Sequence, residues 1–207
     1  MENLAYRIKL HFPHLFRVME KVARRITIIR FGSRLKKARQ QAVIKGTLKT
    51  ESAVMRPLEA TDVNTLYQFL ADQPTQHMQY FQPHGFDHST LQQVLGSDAF
   101  LNYGLFVGER IVGYALLKIS PTGSAFIGLL VAPAYTGMGI GTFFVRFLYW
   151  QALLAGLRAR STISRHNYAS LASHRSVSDF SIVSELPNGY LLIEFPPSDL
   201  TPPKLNL

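Results

Sequence analysis

The chain has no cysteine. Disulfides, zinc–thiolate sites and a cysteine nucleophile are therefore excluded, and nothing suggests a secreted, disulfide-stapled scaffold. Charge is also scarce. Asp, Glu, Lys and Arg make up 17% of the 207 residues, against 47% hydrophobic residues. That balance excludes wholesale disorder and suits one folded core with an extension. Acidic residues are nearly missing from one end. Residues 1–50 carry 13 Lys+Arg against 2 Asp+Glu, a formal +11, whereas residues 51–207 carry 9 against 11, a formal −2. A basic arm over residues 1–50 thus precedes a nearly neutral domain over residues 51–207. The N-terminus shows no uninterrupted apolar core and no small-residue cleavage site, so a signal peptide is not expected. Residues 119–145 lack every charged type. Their length would cross a bilayer, but Pro121, Pro133 and five glycines divide the run into strand, turn and helix.

What is present has a clear order. In the arm, Leu15, Val18, Val22, Ile26 and Ile29 recur at helical spacing among Arg17, Lys21, Arg24 and Arg25, which predicts an amphipathic helix with a cationic face. Gly32-Ser33 is expected to break it, with Ser33 capping a second basic helix. "KGTLKTES" reads as a linker. Three partners suit the arm: a protein surface (its own domain or a second copy in a homodimer), an anionic membrane surface, and nucleic acid, in that order. The apolar stripe needs a partner in any case.

From Ala53 onward the expected elements are "AVMRPL" as strand, "DVNTLYQFLAD" and "STLQQVLG" as helices, and "YGLFVG", "IVGYALLKIS" and "AFIGLLVA" as three successive strands. Residues 141–156 form a helix that is apolar almost all round. "ARSTIS", "NYASLASHRSVSDF", "SIVSEL" and "YLLIEF" then give strand, helix, strand and strand. Pro-rich "FPPSDLTPP" ends the fold. The pattern is α+β, a mixed α/β order without repeats.

The chemistry concentrates in "VAPAYTGMGIGT", residues 131–142. A strand meets Gly-x-Gly-x-Gly and then a helix. Glycines let backbone N–H groups approach a ligand, and the helix N-terminus adds unpaired donors and partial positive charge. Together they suit a phosphate or pyrophosphate. A P-loop would need a lysine after the last glycine, and Ile140-Gly141-Thr142 has none. A dinucleotide fingerprint needs G-x-G-x-x-G, which the spacing does not match.

"LLVAPAYTGMGIGTFFV" instead resembles the acyl-CoA-binding segment of the GNAT superfamily of N-acyltransferases. The family pattern (Arg/Gln)-x-x-G-x-(Gly/Ala) falls on Thr136, Gly137, Met138, Gly139, Ile140 and Gly141, with Thr136 in place of the usual Arg or Gln. "MRPLEATDVNTLYQFL" is similar to the family's first strand and helix. "NYASLASHRSVSDF" resembles its late helix, with Asn167, Ser170 and Leu171 matching and His174 in the place of the usual tyrosine. The resemblance spans about residues 53–195. It implies a mostly antiparallel, splayed sheet flanked by helices, with acetyl-CoA as co-substrate. It implies pyrophosphate binding by Thr136, Gly137, Met138, Gly139, Ile140, Gly141 and Thr142, pantetheine binding near Leu130 and Val131, and a cofactor contact from Asn167. The implied reaction is acetyl transfer to a primary amine of a small molecule such as an amino sugar, in the cytoplasm or at the membrane periphery. A peptide or protein N-terminus as acceptor and a non-catalytic acyl-CoA-binding module are the alternatives. "AFIGLLV" has no carboxylate to act as base. His174 is the candidate acid, Tyr168 its runner-up, and His84 and His88 are candidate bases or substrate contacts, with Asp87 available to orient an imidazole. No metal is expected.

Overall fold

The computed structural model describes residues 13–207. The first twelve residues, and with them the reading against a leader, lie outside it. One eight-stranded sheet forms its centre. Its strands are β1 (Ile44–Leu48), β2 (Glu51–Pro57), β3 (Phe100–Val107), β4 (Arg110–Ile119), β5 (Ser124–Val131), β6 (Arg158–Ser164), β7 (Ser181–Leu186) and β8 (Tyr190–Glu194), in the spatial order β1-β2-β3-β4-β5-β6-β8-β7. Every neighbouring pair is antiparallel except β5 and β6. The expected mixed architecture is therefore present. From β2 onward the elements follow the order read from the sequence, with helices α2 (Val63–Ala71), α4 (His88–Leu95), α5 (Ile140–Leu154) and α6 (Tyr168–Arg175). The late helix is shorter than expected and stops at Arg175. A four-residue helix, α3 (Thr75–Met78), interrupts what reads as a loop.

Local chemistry explains the frame. Gly108 adopts φ +59°, a left-handed value that costs glycine little and lets β3 return tightly into β4. Asp62 accepts two bonds from Arg56, each 2.8 Å, and one from the Glu59 amide, so "RPLEATD" ties the end of β2 to the start of α2. Helix α5 buries ten of its fifteen residues, among them Phe143, Phe144, Phe147 and Trp150. It rides close to β4 because Gly113 has no Cβ: one built there would lie 2.6 Å from the Phe144 ring. Its one buried amide, Gln151, accepts from Tyr103 Oη at 2.9 Å.

The N-terminal region departs from the sequence reading in three ways. Helix α1 (Pro13–Gln40) runs unbroken through Gly32-Ser33. A glycine in a helix costs only about 1 kcal/mol, and the buried Phe31, Leu35 and Ala38 hold both halves on the domain. The apolar stripe is not the docked face: Val22, Ile26 and Ile29 are exposed, and the side chains of Leu15 and Val18 lie outside the described residues. "KGTLKTES" is no linker but the β1–β2 hairpin, turning at Lys49 with φ +55°. The chain end does not stop at its prolines either. It returns along β1, where Thr47 N donates to Leu205 O at 2.8 Å and Leu205 is buried. No helix among the described residues is long and apolar enough to cross a membrane.

Candidate active site

The parallel pair β5–β6 creates the site. Its ladder holds only from Ser124↔Arg158 to Phe126↔Arg160. Beyond Phe126 the strands diverge, and the freed edge of β5 faces a cleft. The cleft has three connected parts, which share Tyr80 and Phe81 as one wall. The largest, about 620 Å³, contains the glycine loop. A narrow middle of about 70 Å³ lies between β5 and β6. The far part, about 430 Å³, reaches Lys118, Phe126 and Tyr190.

The loop is built from backbone. Gly137 and Gly139 take φ +77° and +80°, values that disfavour any side chain there. The first helix amide with an internal acceptor is that of Phe143, on Gly139 O. The amides of residues 137–142 find no acceptor among the described residues, and they sit where the dipole of α5 is positive. Thr136, Gly137, Gly139, Ile140, Gly141 and Thr142 all line the large cavity. Met138 does not; it packs against the core. Thr136 Oγ1 donates to Pro133 O at 2.8 Å, so its hydroxyl first serves its own turn. A Cβ at Gly137 would meet nothing within 4 Å. The cradle has the room and the donors for a pyrophosphate. Asn167 lines the same cavity and caps α6, accepting from Ser170 N at 3.1 Å.

The side chains singled out for catalysis fall in different places. His174 is buried beside the narrow middle of the cleft. Its Nδ1–H donates to Ser170 O at 2.8 Å, which leaves Nε2 to accept from Ser161 Oγ, also at 2.8 Å. Burial pushes its pKa down to about 4, so the ring is neutral at pH 7 with both nitrogens engaged. Tyr168 is exposed at the start of α6 and lines no part of the cleft. His84 stands 3.0 Å from Tyr114 Oη among Phe86 and Tyr114, outside the cleft lining, and burial lowers its pKa. His88 is exposed and bonds Asn64 Oδ1 at 2.7 Å. Asp87 orients no imidazole. It caps α4, accepting from Thr90 N, Thr90 Oγ1 and Ser89 Oγ, and these bonds hold its carboxyl well below the usual range.

One cleft residue was not singled out from the sequence. His77, on α3, lines the large cavity, and its Nε2 lies 2.6 Å from Val131 O. A carbonyl only accepts, so Nε2 carries the proton and Nδ1 keeps its lone pair. The sequence shows three histidines between residues 77 and 88, but not which one meets β5. Among the described residues no Asp or Glu lines any part of the cleft.

A sequence model of the acetyltransferase (GNAT) family matches residues 63–179, more than half of the chain. The chain belongs to this family. It is a GNAT acyltransferase, and acetyl-CoA is the acyl donor. No curated protein matches it. Solved structures do. The GNAT domain of S. lividans PAT superposes with TM-score 0.65 at 14% identity, over 74% of this chain and 96% of that one. PaiA N-acetyltransferase from Thermoplasma acidophilum, in complex with coenzyme A, gives TM-score 0.59 at 17% identity, over 70% and 98%. RimJ of Mycobacterium smegmatis, in complex with CoA-disulfide, gives 0.58 at 20% identity, over 74% and 86%. At these identities the likeness concerns the GNAT fold alone. Among the described residues no group of three or more His, Asp or Glu is placed to hold a metal.

Proposed function

We propose that this GNAT enzyme moves an acetyl group from acetyl-CoA to the primary amine of a small molecule, with an amino sugar as the acceptor class. The observation that carries the reading is the cleft divided across the β5–β6 splay. Six amides with no acceptor among the described residues stand at one end, and a separate cavity of about 430 Å³ opens at the other. The second cavity suits a sugar-sized acceptor. Tyr80, Phe126 and Tyr190 offer flat apolar contact, while Gln79, Gln82 and Thr162 offer hydrogen bonds. Among the described residues its only charged lining residue is Lys118, so it holds no counter-charge for a polycation and favours a monoamine whose other groups are neutral or anionic.

The amides of residues 137–142 would hold the pyrophosphate, with Thr136 and Asn167 at the rim. The edge of β5 at Leu130 and Val131 would hold the pantetheine arm. Bound there, acetyl-CoA supplies an activated thioester carbonyl. His77 is the base in this scheme. Its Nε2–H is fixed on Val131 O, and its Nδ1 lone pair takes the proton that frees the acceptor nitrogen. The new C–N bond forms as C–S breaks, and the departing sulfur takes up the second proton that the nitrogen loses on becoming an amide. His174 keeps the β6–α6 junction in register beside this point instead of supplying that proton. Action in the cytoplasm goes with the reading, since the thioester donor is a cytoplasmic metabolite. The test is release of CoA thiol over a panel of amines. Turnover with amino sugars is the expected result. Tight acetyl-CoA binding without turnover of any amine, sugar or peptide, would mark a binding module instead.

A further inference from the structure

Helix α1 carries apolar side chains on two opposite faces. Thr27, Phe31, Leu35 and Ala38 are buried on the domain. At about 100° per residue, Val22, Ile26 and Ile29 point the opposite way. Ile29 is 83% exposed, Val22 50%, Met19 46% and Ile26 41%. At i, i+3, i+7 and i+10 the four form one continuous apolar row along the helix, not singly scattered residues. Lys21, Arg25, Lys36 and Lys37 flank it, all exposed, and none is in an ion pair among the described residues.

We propose that this outward face of α1 lies on a membrane surface rich in anionic lipid. Two observations choose that occupant. The formal +11 of residues 1–50 complements an anionic plane, and the apolar strip between the cations matches a helix seated at the headgroup boundary. Nucleic acid would use the cations but leave Ile29 and Val22 in water. A second copy would cover the strip but bring two strongly basic arms together. Geometry agrees: the docked and open faces are opposite, so a flat surface meets the helix without meeting the sheet. The arm is then a peripheral anchor that holds the acetyltransferase domain beside lipid.

Flotation of the full chain with vesicles tests this. Vesicles with about one third phosphatidylglycerol should take up at least about tenfold more protein than pure phosphatidylcholine, with the excess falling as salt rises. The triple variant Val22→Ser, Ile26→Ser, Ile29→Ser should lose this binding. All three positions are exposed, so its circular dichroism and thermal unfolding should match the parent. Charge reversal at Lys21, Arg25 and Lys36 should lose it too. Equal uptake by both vesicle types, or none by either, overturns the proposal. So does a dimer in light scattering that the serine variant dissociates, or binding to RNA or DNA that the serine variant keeps.

Discussion

The two walls of the cleft are built on different principles. The wall formed by β5, the glycine loop and the start of α5 is backbone. Among the described residues the amides of residues 137–142 have no acceptor there, and Gly137 and Gly139 hold φ values that disfavour a side chain. The opposite wall, from Gln76 to Phe81, is made of side chains, and its imidazole, His77, is positioned by a contact between residues 54 apart in sequence. The first wall should tolerate changes of residue type and fail on changes of shape. The second should fail on changes of type alone.

Gly139→Val presses hardest on that contrast. A branched residue at φ +80° is strained by about 1–3 kcal/mol, and its Cβ would also stand 3.3 Å from Leu207 Cδ2. CoA affinity should fall by on the order of a thousandfold, read by calorimetry, because the amides can no longer converge on the phosphates. Unchanged affinity would remove the backbone wall from the argument.

Next in size is His77→Gln. The amide can still donate to Val131 O but has no lone pair suited to the proton transfer. Turnover should fall on the order of a hundredfold while the affinity for CoA stays within about threefold. Retained turnover would sink His77 as the base.

His174 sharpens the contrast by being a histidine beside the cleft that is part of the frame. Its pKa is near 4 when folded and about 6.5 when unfolded. The unfolded chain therefore binds the extra proton first. Stability from this group is full above about pH 6.5 and is lost as pH falls toward 4. The native protein should lose about 2 kcal/mol from this source between pH 7 and pH 5, measured by urea unfolding. His174→Gln should lack that component. An identical pH slope in both proteins would contradict the buried, neutral ring.

The smallest effect is expected at Thr136. Its hydroxyl is already used by Pro133 O, so Thr136→Ala should change CoA affinity by less than about threefold. Thr136→Arg adds a cation at the rim of the cradle and should tighten CoA binding by a few-fold at low salt, less at high salt. A large loss with alanine would mean that Thr136 contributes a side-chain contact to a wall described as backbone.

Legibility followed the distance over which each feature is decided. The strand, glycine turn and helix of residues 124–154 are consecutive, so their periodicities and glycines state the cradle directly. The succession of elements along the chain from β2 to β8 was legible for the same reason, though not their side-by-side order in the sheet. The arm was not. Its sequence holds two apolar strips, Val22-Ile26-Ile29 and Phe31-Leu35-Ala38, and periodicity does not say which one the domain will cover. Nor does local propensity show that Gly32 sits in a helix held by packing at Phe31 and Leu35. "KGTLKTES" looked like a linker because a short edge strand is polar on its open side, and its partner Leu205 lies far along the chain. Among the histidines, composition identified the cluster. Only the approach of α3 to β5 separated His77 from His84 and His88.

By itself, then, the amino-acid order determined the elements, the glycine turn ahead of α5 and the uneven charge. Each of these arises from neighbours within a few residues, where backbone freedom, helix dipole and side-chain alternation act directly. The splay between β5 and β6, the commitment of both His174 nitrogens, the placement of His77 and the orientation of α1 were decided by the tertiary structure. They depend on which distant surfaces meet, and burial selects among those meetings only once the whole sheet has formed.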